Sequence, residues 1–259
     1  MELDSLDGDL EILIDYSDKP TVALRGEVDC RNRERIKQAI FSLVDRGKAS
    51  INVDLRGLEF MDTTGVSALV DAANAIAPSG GHVNLVTSGA QLAKVLSRCG
   101  VSGVFTYEQV SVAHPAQECP ILPESRDVIE FEVPGQPGML HYMRKRAAEF
   151  ACSMPFTDDD IEDIKLAVGE AGSNAIRYGA SNDRHKICVR LERHKNAMKI
   201  FITDCGSGFD PDSVYVPKIG ELAEGGRGIM FMRALMDEVM FHFDQPGTRV
   251  ELIKHFRIS

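Results

Sequence analysis

No stretch of the 259 residues approaches the ~20 consecutive apolar positions that a helix needs to cross a bilayer. A helical membrane span is thereby excluded. The opening residues, Met1-Glu-Leu-Asp-Ser-Leu-Asp7, are acidic and hold neither the basic stretch nor the apolar core of a secretory signal, so a soluble, cytoplasmic protein is expected. Six cysteines, at positions 30, 99, 119, 152, 188 and 205, include no C-x-x-C pair and no paired histidines nearby. This argues against both a structural metal site and a disulfide framework, and leaves buried or surface thiols as the expectation. Basic charge is also short, with 29 Lys and Arg against 39 Asp and Glu for a net charge of −10. Non-specific nucleic-acid binding needs a basic face that displaces counterions, so any link to DNA should be indirect.

What is present is ordinary globular composition, 44% hydrophobic and 26% charged, on a chain long enough for two domains with separate cores. The segment from Ser111 to Ser125, with Pro115, Pro120 and Pro123 and little hydrophobic periodicity, reads as a linker. The expected division is therefore residues 1–112, a linker at 113–125, and residues 126–259. Before the linker, Glu11-Ile-Leu-Ile, Thr21-Val-Ala-Leu, Ser50 to Leu55 and His82 to Val86 read as strands. They alternate with helical patterns over Arg33–Val44, Val66–Ile76 and Ser88–Arg98. This predicts a small α/β layer with helices against a mixed sheet. Between the third strand and the second helix lies Phe60-Met61-Asp62-Thr63-Thr64-Gly65. A carboxylate and two hydroxyls at a helix N-terminus have an evident structural use as caps for free N–H groups.

The second half carries three spaced elements. Glu170 and Asn174 lie four residues apart on a helical pattern, so both side chains leave the same face. Ile161, Ile164, Val168, Ala171, Ala175 and Tyr178 form the apolar stripe of that helix, with Glu170 and Asn174 at its edge. Asp204 ends the apolar run Lys199-Ile-Phe-Ile-Thr203 and is followed by Gly206 and Gly208, which suits an acceptor that recognises a base. The run Gly225-Gly226-Arg227-Gly228 precedes a periodic helix at Ile229, Met232, Leu235 and Met236. A glycine-rich helix start offers unpaired N–H groups to phosphate oxygens. Order and spacing together read as an ATP site. The long, weakly periodic stretch from Asp210 to Gly225 reads as a lid over it, with Lys218 within it.

In this order and spacing, residues 126–259 resemble the Bergerat-fold (GHKL) ATPase domain, in the branch of the anti-sigma-factor serine/threonine kinases, a two-layer α/β sandwich. Gly247-Thr248-Arg249-Val250-Glu251-Leu252 is similar to the closing strand of that family. Residues 10–110 resemble a STAS domain, the anti-sigma-factor antagonist fold, whose switch sequence Asp-Ser/Thr-Ser/Thr-Gly matches Asp62-Thr63-Thr64-Gly65. The resemblance implies Glu170 as general base or water-orienting group and Asn174 as magnesium ligand. It places nucleotide contacts at Asn174, Asp204, Gly206, Gly208, Gly226, Arg227, Gly228 and Thr248, and the phosphoacceptor at Thr64. One position departs from the pattern: the family often has His four residues after the Asn, and Tyr178 cannot copy imidazole protonation.

The expected function is thus an ATP- and Mg2+-dependent protein serine/threonine kinase fused to a STAS domain. Its substrate would be a STAS hydroxyl, of this chain or of a separate protein, in partner switching that governs a sigma factor or another regulator. A homodimer is implied by resemblance alone. The alternative is a nucleotide-gated binding module that sequesters a partner without phosphoryl transfer, against which the acidic Glu170 counts. A two-component histidine kinase would need a phosphoacceptor histidine on a long helical hairpin. His141, on one short helical pattern, reads instead as a packing or surface residue.

Overall fold

The computed structural model describes residues 10–47, 50–87, 96, 102–110, 127–179, 186–206, 227–243 and 247–256. Two compact units emerge, one built on residues 8–115 and the other on 116–217 and 223–259. The proline-bearing segment expected to link them lies outside the described residues, as does all of the predicted helix 88–98 except the buried, helical Leu96.

In the first unit, strands β1 (Glu11–Asp15), β2 (Thr21–Val28), β3 (Ser50–Met61), β4 (His82–Thr87) and β5 (Thr106–Gln109) pair in that order. β1 is antiparallel to β2 and the remaining pairs are parallel, which gives the expected mixed sheet. Helices α1 (Arg33–Val44) and α2 (Thr63–Ile76) bury Ile36, Ile40, Leu43, Val66, Leu69 and Ile76. Alternation in Ile51, Val53 and Leu55 marks the inward side chains of β3. The strand continues six residues past Leu55, further than its alternation predicts. Register shifts between Ala23 and Arg25, and again between Gly26 and Glu27, keep β2 paired to it as far as Val28 opposite Met61. Gly26 takes φ +90° at this irregularity, a conformation that other residues rarely adopt. The extension delivers Asp62 beside the end of β2, where its N–H donates to the Val28 carbonyl at 3.0 Å.

The second unit sets α3 (Met139–Cys152), α4 (Asp158–Tyr178) and α5 (Arg227–Leu235) in one layer. Its sheet contains β6 (Val128–Pro134), β7 (Lys186–Arg193), β8 (Ala197–Thr203), β9 (Glu238–His242) and β10 (Arg249–His255). The strand order is β6-β7-β8-β10-β9, antiparallel at every pairing. One sheet face, with Ile187, Val189, Leu191, Met198, Ile200, Ile202, Val250 and Leu252, is buried, as a two-layer sandwich requires. A capping box starts α4: the Thr157 hydroxyl accepts from the Asp160 N–H, and the Asp160 carboxylate accepts from the Thr157 N–H. Asp158, Asp159 and Asp160 place negative charge at the same positive helix end. At Gly172 a Cβ would lie 2.9 Å from Leu140, so the absence of a side chain lets α3 pack closely on α4.

Two expectations fail here. Tyr178, assigned to the core stripe of α4, is 47% exposed, because it is the last helical residue and its position is no longer covered by the layer. Cys152, expected as a thiol, is disulfide-bonded. Spacing could exclude a C-x-x-C site but not a single bridge between distant cysteines.

Candidate active site

Helix α4 carries Glu170 and Asn174 into the second unit beside the first turn of α5. Glu170 is 5% exposed. A Cβ built on Gly228 would stand 2.7 Å from Glu170 Oε2 and 3.6 Å from Asn174 Nδ2, so the glycine lets the backbone of α5 approach both side chains. The second element reaches the same region through the end of α4. A Cβ on Gly206 would meet the Tyr178 carbonyl at 2.4 Å and Gly179 Cα at 2.7 Å. The loop after β8 therefore lies against the residues that follow Asn174.

Asp204, 5% exposed, is fixed by its surroundings. Its Oδ1 accepts from the Gly206 N–H at 2.7 Å and from the Thr248 N–H at 3.3 Å, while its own N–H donates to the Thr248 carbonyl at 3.0 Å. Oδ2 accepts no hydrogen bond among the described residues. A buried carboxylate oriented by two backbone donors through one oxygen keeps the other oxygen available as a directed acceptor. Gly247 makes this possible: its φ is +129°, and a Cβ there would fall 1.9 Å from the Asp204 carbonyl oxygen. Thr248 is buried at 3% exposure.

The structure thus brings together Glu170, Asn174 and Gly228, and separately Asp204, Gly206 and Thr248, with the end of α4 joining the two groups. Arg227 is the first residue of α5. Gly208, Gly226 and the expected lid with Lys218 lie outside the described residues. Among the described residues no cluster of His, Cys, Asp and Glu is built to hold a metal by itself.

Sequence reasoning missed one buried network in this unit. Lys254, 8% exposed, pairs with Asp163 at 3.0 Å. The signal was available, since Val250, Leu252 and Lys254 alternate on one face of β10 and a lysine in an apolar register needs a partner.

In the first unit, Asp62 is the N-cap of α2. Its Oδ1 accepts from the Thr64 N–H at 2.8 Å, the Gly65 N–H at 3.1 Å and the Thr64 hydroxyl at 2.5 Å. Thr63 and Thr64 belong to the first helical turn, three residues earlier than the periodicity places the helix start. Gly65 is required by contact: a Cβ would lie 2.4 Å from Val28 Cγ1 and 2.7 Å from Met61 Cγ. Burial pushes the Asp62 carboxyl up to about 6, opposed by the hydrogen bonds from Thr64 and Gly65 and assisted by the neighbouring carboxylate of Asp29. Asp29 is itself fully buried and is paired with Arg31 at 2.8 Å.

Residues 133–254 match the family described as histidine kinase-like ATPase domain, and residues 14–113 match the STAS domain. The chain is 35% identical over 141 residues to the serine-protein kinase RsbW of Bacillus velezensis, an alignment that spans 51% of this chain and 87% of the relative. The chain belongs to the RsbW family of serine-protein kinases. Over 142 residues it is also 32% identical to the RsbW of Staphylococcus aureus, covering 51% of this chain and 88% of that one. Among solved structures, the RsbU and RsbW domains of a Mycobacterium tuberculosis protein align at TM-score 0.38 and 18% identity, over 49% of this chain and 32% of the other. An anti-sigma factor antagonist from Mycobacterium paratuberculosis aligns at TM-score 0.37 and 20% identity, over 40% of this chain and 88% of the other. This RsbW-type chain is a protein serine/threonine kinase that uses ATP, and it carries a STAS domain ahead of its kinase domain.

Proposed function

We propose that this kinase transfers the γ-phosphoryl group of Mg-ATP to a hydroxyl of a STAS domain, with Thr64 of its own fold as the acceptor, in a partner switch that controls a sigma factor or another regulator. The observation that carries the catalytic half is the approach of Gly228 to Glu170 and Asn174, which places a glycine-rich helix start next to an acid and an amide. Phosphoryl transfer depends chiefly on positioning and charge stabilisation. The N–H groups at the start of α5 hold phosphate oxygens, and Asp204 Oδ2 accepts from the base of the nucleotide.

Glu170 is the general base. As the acceptor Oγ1 bonds to the γ-phosphorus, its proton passes to the Glu170 carboxylate, the bond from that phosphorus to the β–γ bridging oxygen breaks, and ADP leaves. Asn174 offers a neutral oxygen beside Glu170, a donor set that fits Mg2+, which keeps much of its water and takes few protein ligands. The ion, when bound, would neutralise charge on the β- and γ-phosphates. Gly208, Gly226, Arg227 and Thr248 belong to the same nucleotide site in this reading. The chain divides at residues 113–125, acts in the cytoplasm and pairs as a homodimer.

Phosphorylation of Thr64 adds about −1.5 to −2 charges at a helix N-terminus, where the helix dipole favours negative charge. The domain should stay folded while Asp62 and any acidic or apolar partner surface oppose docking. Glu170→Gln separates transfer from binding only: the variant should bind ATP as the wild type does and lose transfer from γ-labelled ATP. Undiminished transfer would remove Glu170 from its role.

A further inference from the structure

Lys254 occupies a position where an apolar side chain would satisfy the sheet, and taking an ammonium out of water costs several kcal/mol, by order of magnitude. Its partners explain what the charge achieves. Nζ donates to the carbonyl of Leu235, the last residue of α5, at 2.7 Å and to Asp163 Oδ2 at 3.0 Å, with Asp160 Oδ1 at 3.6 Å. Lys254 therefore ties the C-terminal end of α5 to the second turn of α4.

The opposite end of α5 meets α4 as well, through Gly228 against Glu170. Asp163 to Glu170 is seven residues on α4, and Gly228 to Leu235 is seven residues on α5. At 1.5 Å per residue the two spans are equal, about 10.5 Å, and the helices run antiparallel between two fixed points. Apolar ridges packed into grooves tolerate small axial slips. A hydrogen bond to one named carbonyl does not.

We propose that Lys254 is a positioning residue that sets the axial register of α5 on α4, and through it the place of the phosphate-facing turn at Gly228 relative to Glu170 and Asn174. The inference rests on reading that turn as the phosphate end of the site. Lys254 touches no reacting atom and acts from the far end of the helix. It also complements the negative C-terminal end of α5.

The test uses the full chain, with ATP titrated calorimetrically and thermal unfolding measured on each variant. Lys254→Met alone takes the ammonium away from the Asp163 carboxylate and can fail to fold. In Lys254→Met with Asp163→Asn, the ammonium goes together with the charge that faces it while the amide keeps hydrogen-bonding capacity at 163, so stability should change little. The double variant should unfold at the wild-type temperature yet bind ATP about tenfold more weakly, roughly the worth of one hydrogen bond to a charged phosphate oxygen. Lys254→Arg, which keeps the charge and the donors, should return affinity to within about threefold of wild type. Asp163→Asn leaves the tie to Leu235 in place and should bind ATP within about twofold of wild type.

A double variant that folds and binds ATP normally overturns the proposal. So does an affinity loss in Asp163→Asn as large as that in the double variant, which would assign the effect to the packing of α4. Gly228→Ala is the control: if it leaves ATP affinity unchanged, the reading of the site has failed rather than the role of Lys254 within it.

Discussion

Gly228 stands against Glu170 at a distance that leaves no room for a methyl group, since a Cβ at 228 would lie 2.7 Å from the carboxylate oxygen Oε2. Glycine is normally a poor helix residue, costing about 1 kcal/mol relative to alanine. Gly228→Ala should therefore leave stability unchanged or slightly higher, while displacing Glu170 or α5 and weakening ATP binding by about tenfold or more. Calorimetry of binding and thermal unfolding on one preparation would check both halves. Reduced stability with normal ATP affinity would show that the contact serves packing.

Asp204 gives a second prediction, because its two oxygens have different work. Asn in its place can still accept from Gly206 and Thr248 through its oxygen, but presents an NH2 donor where Oδ2 would accept from a bound base. Two donors then face each other across the base of the nucleotide. Asp204→Asn should keep the fold and weaken ATP binding by about 1–3 kcal/mol, the cost of an unmatched buried polar group. Unchanged affinity would place the base elsewhere.

Much of this was legible in the sequence. Glu170 and Asn174 stand four residues apart on α4, as their spacing predicts, and the apolar run that Asp204 ends is the strand β8. Other features were hidden for physical reasons. β3 runs on to Met61 because it takes up one extra residue against β2 between Asp54 and Gly57 and another between Leu58 and Phe60, where alternation lapses. Periodicity placed Tyr178 in the core because it counts positions along a helix and not what covers the helix end. The buried neighbour of Asp62, Asp29, lies 33 residues earlier in the chain (62 − 29), and only strand pairing brings them together.

Burial, reinforced by that neighbour, makes the turn at Asp62 sensitive to pH. With the folded Asp62 carboxyl at about 6 and its ordinary value at 3.8, the folded state holds the proton more tightly than the unfolded chain does. The contribution of Asp62 to stability is therefore fully present below about pH 4 and declines as pH rises to about 6, where the folded group also ionises. Asp62→Asn keeps a capping oxygen and cannot ionise. It should unfold at a higher temperature than wild type at pH 7, with the difference closing near pH 4. A carboxyl NMR titration with an Asp62 midpoint near 4 would contradict this.

Gly65 is constrained by sterics alone. A Cβ there meets Val28 Cγ1 at 2.4 Å and Met61 Cγ at 2.7 Å. Gly65→Ala should destabilise the first unit by about 1–3 kcal/mol, the usual cost of overpacking, without altering ATP affinity. Chemical denaturation and an ATP titration would check the two effects separately.

The most direct test is to incubate the purified chain with Mg-ATP and locate phosphate by mass spectrometry, with Thr64→Ala and Glu170→Gln proteins alongside. The expected result is phosphate on Thr64 in the wild type, none on Thr64 in the Glu170→Gln protein, and none at a substitute residue in the Thr64→Ala protein. A wild-type chain that binds ATP and leaves Thr64 unmodified would contradict phosphoryl transfer to its own STAS fold.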